Sequence, residues 1–232
     1  IYIANKNIKE VNSNLLIIIN KNNLGLNPTL KFLLEIFIGT YFYTIYLGLG
    51  NTNSFNFFGI NVNLGFLYGF IIVVLFSGFT NATNFTDGLD GLLSLTSLSS
   101  FSGIGIYSYL INNHTVFVFC FIMVGAILSF LLFNLPKASI FMGDTGSLAI
   151  GGAMLGCLIA LKSEYLILFF GFIYIVELFS VMLQVWYFKR TKGKRILKMA
   201  PYHHHLELSG YNDKLINTLF TLLNLLFVVI YI

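Results

Sequence analysis

Apolar residues run in long blocks along this chain, and polar residues gather in the short intervals between them. Windows long enough to cross about 30 Å of hydrocarbon as helices fall at 29–49, 64–80, 91–111, 116–134, 147–161, 165–187 and 214–232. The pattern predicts an all-α, polytopic membrane protein of about seven transmembrane helices, forming one domain over 1–232. Residues 14–19, NLLIII, are too short to span alone and read as the stump of an earlier helix. The intervals 50–63 and 112–115 hold Asn, Thr, Gly and one His without a carboxylate, and read as connectors.

Composition supports this reading: 57% of residues are hydrophobic, 9% are charged, and the mean hydropathy is +0.83. The net charge of +4 is no nucleic-acid signal, because the basic residues sit in short loops between apolar runs, where membrane orientation explains them. Of the 13 Lys and Arg, only Lys162 falls on the side opposite residues 1–28. The positive-inside rule therefore puts 1–28, 81–90, 135–146 and 188–213 in the cytoplasm. Cys120 and Cys157 lie inside apolar runs with no CxxC or Cys/His spacing, which leaves disulfide and zinc roles unsupported. The opening residues have no signal-peptide pattern, and the chain starts with Ile instead of Met, which fits a fragment, a trimmed chain or a degenerate copy.

The three polar cytoplasmic intervals carry the candidate chemistry. In NATNFTDGLDG, Asn81, Asn84, Asp87 and Asp90 recur every three residues. On a regular helix that row drifts by about 60° per step, so all four share one face only if the segment is partly unwound or tightened towards 3₁₀ geometry. The same residues also fit a plain polar loop with Thr86 or Asp87 as a helix cap. In KASIFMGDTGSLAIGG, Asp144 stands between glycines directly before an apolar helix, where N–H groups can meet an anion, or where it serves only as a cap. In RILKMAPYHHHLE, His203, His204 and His205 follow a cluster of Lys and Arg. Adjacent helical residues point about 100° apart, so the three cannot bind one metal from a regular helix. Carboxylates and amides suited to Mg2+, with cationic and imidazole groups suited to diphosphate, suggest phosphoryl transfer between a soluble nucleotide and a lipid. There is no Walker loop.

Together NATNFTDGLDGL, FNLPKASIFMGDTGSLAIGG and RILKMAPYHHHLELSG closely resemble the phospho-N-acetylmuramoyl-pentapeptide transferase family, a branch of the polyprenyl-phosphate sugar-1-phosphate transferases of glycosyltransferase family 4. The MAPxHHHxE run distinguishes that branch, and the likeness extends from about residue 20 to the C-terminus, including NLGLNPTLK. It implies a bacterial inner-membrane enzyme, multi-pass, with its active site facing the cytoplasm. The reaction implied moves phospho-MurNAc-pentapeptide from UDP-MurNAc-pentapeptide to undecaprenyl phosphate, giving lipid I and UMP with Mg2+ as cofactor. It places Asp144 as principal Mg2+ ligand and Asn84 as a second, with Asp87 and Asp90 lining the uridine and diphosphate cleft. Phe141 is implied near the uracil, Gln184 in the nucleoside pocket, and His203 and His204 at the sugar phosphate. Asp87, Asp90, Asp144 and His203 are then the catalytic candidates, and Asn81, Asn84, Phe141, Gln184, His204 and His205 the substrate-binding ones. Homodimerisation stays open.

The resemblance also implies about ten spans, of which this chain carries the last seven, and an aspartate pair near residues 13 and 14. Ser13 and Asn14 stand there, and neutral Asn14 can donate to a phosphate but cannot act as a base near pH 7. A UDP-GlcNAc transferase, a non-catalytic membrane scaffold and, more remotely, a transporter are the competing readings.

Overall fold

The computed structural model describes residues 2–3, 27–57 and 60–232, so Ser13, Asn14 and the NLLIII stump lie outside the described residues. Long helices occupy every one of the expected windows. They are α1 (Pro28–Gly48), α2 (Phe66–Thr86), α3 (Leu92–Leu110), α4 (His114–Asn134), α5 (Gly143–Ala160), α7 (Phe172–Arg190) and α9 (Asp213–Tyr231), with short helices α6 (Ile167–Phe170) and α8 (Tyr202–Glu207) between. Asparagine side chains start several of them: Asn27 accepts the Thr29 amide, Asn113 that of Val116 and Asn212 that of Leu215. A 3₁₀ turn (Glu164–Leu166) and two small antiparallel pairs complete the described structure: β1 (Tyr2–Ile3) with β4 (Ile140–Phe141), and the hairpin of β2 (Ser54–Phe57) and β3 (Ile60–Asn63). The hairpin replaces the plain connector expected at 50–63.

Six of the helices are long and apolar enough to cross a membrane, and the chain is a multi-pass membrane protein. The seventh expected span, α3, is the exception for a physical reason. Its Ser94, Thr96, Ser97, Ser99, Ser100 and Ser108 are all buried, so most of it sits inside the bundle and meets protein, while Ile106, Tyr109 and Leu110 near its end are exposed. Each hydroxyl can be satisfied locally or across a helix contact. Thr96 donates to Leu92 O at 2.9 Å, Ser100 to Phe170 O at 2.6 Å, and Asn224 of α9 donates to Ser99 Oγ at 2.7 Å. Around α3 the core is apolar and aromatic, with Tyr68, Ile72, Phe101, Leu155, Phe170 and Tyr174 almost fully enclosed. The outer faces are greasy in the opposite direction, as Phe37, Tyr41, Phe70 and Leu132 show, which is how a bilayer-facing surface differs from a soluble one.

Three boundaries bear on the polar sites. α2 runs to Thr86, past the expected end at residue 80, so Asn81 and Asn84 are helical and adjacent on one face. α5 begins at Gly143, earlier than the expected 147, which puts Asp144 in its first turn instead of in a preceding loop. The expected span 165–187 is broken at Gly171, where a Cβ would lie 2.7 Å from Phe79 Cε2 and 2.8 Å from Ile167 O. α2 and α5 meet closely at Gly151, where a Cβ would stand 2.4 Å from Thr83 Oγ1 and 2.9 Å from Thr80 Cα. That contact fixes the separation of the two helices that carry the polar cluster.

Candidate active site

At one end of the bundle, α1 begins, α2 ends and α5 begins, and their polar residues converge. Lys31 of α1 donates from Nζ to Asn84 Oδ1 and to Asp144 Oδ2, each at 3.1 Å. Asn84 Nδ2 donates to Asp144 Oδ1 at 3.0 Å and to Ser147 Oγ at 2.8 Å. The oxygens of Asn84 and Asp144 thus already share one cation, the Lys31 ammonium. Ser147, one turn beyond Asp144, passes its own proton to Gly143 O at 3.0 Å, while its carbonyl receives Thr83 Oγ1 at 2.9 Å. Asp144 remains open, its side chain 70% exposed, so a solvent-borne ligand can reach it.

One turn deeper, Glu35 Oε2 accepts from Ser77 Oγ at 3.0 Å and from Asn81 Nδ2 at 2.6 Å. Lys31, Glu35, Asn81, Asn84 and Asp144 line a cleft of about 420 Å³. Lys31 and Glu35 also border a second, apolar groove of about 480 Å³ between α1 and α5, walled by Leu34, Ile38, Phe76 and Leu148. A polar cleft and an apolar groove therefore meet at one lysine and one glutamate.

Asp87 follows α2 and stands beside this cluster. Burial pushes its carboxyl from 3.8 up to about 7, with the Gly143 N–H opposing and the Asp144 charge adding to the rise. In the folded protein it holds its proton over a range where the unfolded chain has lost it. Stability therefore falls as pH rises from about 4 to about 7. Asp87→Asn is expected to remove that slope and to make the protein more stable than wild type at pH 8, as read from thermal midpoints across pH.

Not every expected residue enters the cleft. The row Asn81, Asn84, Asp87, Asp90 splits because the helix stops at Thr86 and the turn passes through Gly91 at φ +84°. Asp90 faces away: its Oδ2 accepts the Ala138 amide at 2.9 Å and its carbonyl accepts Asn217 Nδ2 at 2.8 Å, tying the 135–141 loop and α9 together. Gln184 accepts the amides of Ile196 and Leu197 at 3.2 and 3.0 Å and donates to Leu197 O at 3.2 Å, so its amide is spent on ordering the basic loop after α7. His203 is fully buried against Glu177, His204 pairs with Glu207 at 2.8 Å, and His205 Nδ1 accepts the Lys198 amide at 3.1 Å. Phe141 is 39% exposed and borders an apolar cavity between α4 and α5.

Sequence reasoning passed over Lys31 as a site residue, and with it Glu35, Ser147 and Glu177. A signal was available for three of them. Charged residues inside apolar spans are functional candidates by default, and KFLLE places two there, Lys31 and Glu35, while IVELF places Glu177. Ser147 carried none, since a serine after GDTG reads equally as helix. Among the described residues no three His, Cys, Asp or Glu cluster as a metal site.

Residues 19–162 match the family described as glycosyl transferase family 4. Among curated relatives, a phospho-N-acetylmuramoyl-pentapeptide-transferase of Listeria welshimeri is 43% identical over 198 residues, covering 84% of this chain and 61% of the relative. A protein of the same name from Streptococcus agalactiae is 43% identical over 197 residues, 83% of this chain and 59% of its own length. Another from Enterococcus hirae is 42% identical over 208 residues, 90% and 64%. The chain spans about three fifths of the length of the curated relatives it matches.

Proposed function

Because the chain belongs to glycosyl transferase family 4, we propose that it is a phosphotransferase moving phospho-MurNAc-pentapeptide from its UDP carrier to undecaprenyl phosphate, releasing UMP and forming lipid I. The observation that carries this reading is the Lys31–Asn84–Asp144 cluster at the junction of a polar cleft and an apolar groove. A reaction between a water-soluble diphosphate and a lipid phosphate needs such a junction, with cationic and acceptor groups where the two phosphates meet. The basic residues after α7 favour a cleft facing the cytoplasm of a bacterial inner membrane.

The donor set suits Mg2+, which is usually held by one or two carboxylates plus substrate phosphates. Asp144 and the Asn84 amide oxygen would hold it, since both oxygens already accept the Lys31 ammonium and Asp144 is open to solvent. When bound it would neutralise charge on the diphosphate. The protein's own groups do the rest. Lys31 offers a compact point charge to a phosphate oxygen, and Asn84, fixed by Ser147, holds Asp144 in place. Desolvated Asp87 is poised near neutral pH to exchange a proton with bound substrate.

The test is UMP release from UDP-MurNAc-pentapeptide, undecaprenyl phosphate and Mg2+ by membranes bearing the chain, with UDP-GlcNAc as competitor. Release above an Asp144→Ala control that UDP-GlcNAc does not suppress is the expected result; release equal to that control overturns the proposal.

A further inference from the structure

Glu177 lies in α7, inside a segment apolar enough to cross a membrane, and is fully buried. A carboxylate there is costly unless donors satisfy it. Both of its oxygens are spent on one residue. Oε1 accepts the backbone N–H of His203 at 3.1 Å, and Oε2 meets His203 Nδ1 at 3.1 Å. A carboxylate only accepts, so in this pair Nδ1 carries the ring proton. Nε2 then points away from Glu177, buried and with no hydrogen-bond partner.

What lies against Nε2 is the turn after α2. A Cβ on Gly88 would stand 2.2 Å from His203 Nε2 and 3.2 Å from His204 Nε2. His204 repeats the arrangement, its Nδ1 2.8 Å from Glu207 Oε2 and its ring centroid 4.2 Å from that of His203. Gly88 therefore rests on two imidazoles, each oriented by a carboxylate, and Asp87 is its immediate neighbour. A hydrogen on Nε2 would be buried in the tight packing under this turn with no acceptor to receive it.

We propose that Glu177 is a positioning residue of the site: by holding His203 as the Nδ1–H tautomer it keeps a bare Nε2 under Gly88, and so sets where the 87–91 turn places Asp87 against Gly143. The inference rests on reading the Asp144 cleft as the active site, but one arm of its test does not. Glutamine at position 177 offers one acceptor and one donor. With the acceptor on the His203 amide, the donor faces Nδ1 and forces the proton onto Nε2.

The experiment is ¹⁵N NMR of the histidine rings beside steady-state UMP release, for wild type, Glu177→Gln, Glu177→Asp and Gly88→Ala. The chain has 4 histidines, so the His203 signals are assigned by its substitution. Expected are Nδ1–H in wild type and E177D, and Nε2–H in E177Q. The kcat of E177Q should fall about 10–100-fold, on the scale of the loss when the hydrogen-bond partner of a metal-bound histidine is removed, with KM for the nucleotide nearly unchanged. E177D should recover part of that loss. G88A should lower kcat while keeping Nδ1–H, because it displaces the same turn from the other side. A wild-type ring protonated on Nε2 overturns the proposal whether or not the chain turns over and whether or not E177Q folds. Wild-type kcat in E177Q overturns it as well. Absence of UMP release by wild type would sink the transferase reading alone, leaving the ring tautomers to decide this one.

Discussion

Asp144→Asn is expected to lower UMP release by about three orders of magnitude while leaving the fold intact. The carboxylate is the one anion that both Lys31 and Asn84 hold, and it is where a divalent cation would meet the diphosphate. Transition-state charge stabilisation at such a site is worth several kcal/mol, and about 1.4 kcal/mol is tenfold in rate. Neutral Asn keeps the shape and the acceptor oxygen but loses the charge. Its cost to stability should be small, within about 0.5 kcal/mol, because the side chain is 70% exposed and exposed substitutions rarely cost more. Thermal unfolding in detergent together with Mg2+ titration of the residual rate checks both halves. A rate within tenfold of wild type would show that the charge at 144 is not where the reaction is promoted.

Gly151→Val should damage stability and activity together, from a position that touches no substrate. Even the first carbon of a side chain there would stand 2.4 Å from Thr83 Oγ1 and 2.9 Å from the Thr80 backbone. Backbone cannot yield as a flexible side chain does, so α2 and α5 must separate. Overpacking of this kind costs about 1–3 kcal/mol and sometimes more. The separation stretches the Thr83–Ser147 and Asn84–Ser147 hydrogen bonds, 2.9 and 2.8 Å in the wild type, and so moves Asn84 relative to Asp144. A displacement near 1 Å suffices for about a hundredfold loss of rate. Gly151→Ala and Gly152→Ala form the matched pair: at 152 the Cβ would approach no closer than 3.4 Å to a Phe76 ring carbon, so that substitution should leave both measurements nearly unchanged. Equal effects of the two substitutions would refute close packing at Gly151 as the cause.

Part of the candidate cluster was legible because its residues are expensive where they sit. Asp87 and Asp144 stood out against an apolar background that tolerates few charges. Asp90 stood out for the same reason and proved to hold a loop, since a carboxylate that caps a backbone amide looks identical in sequence to one that faces a ligand. Lys31 went unrecognised as a site residue because orientation alone explained a lysine at a helix end. The histidine run divided three ways, one ring onto Glu177, one onto Glu207 and one onto the Lys198 amide. Sequence adjacency cannot foretell that division, because helical neighbours point in different directions.

The sequence by itself determined the helical spans, their number to within the serine-rich α3, and the gathering of polar chemistry at one end, because in lipid each span must satisfy its own backbone and hide its charges. Only the tertiary structure decided which polar side chains meet. The Lys31–Asn84–Asp144 contacts join residues 53, 60 and 113 positions apart and depend on α2 and α5 closing at Gly151. Local periodicity carries no information about that closure; it is set by side-chain volumes at helix crossings, which become readable once the helices are packed.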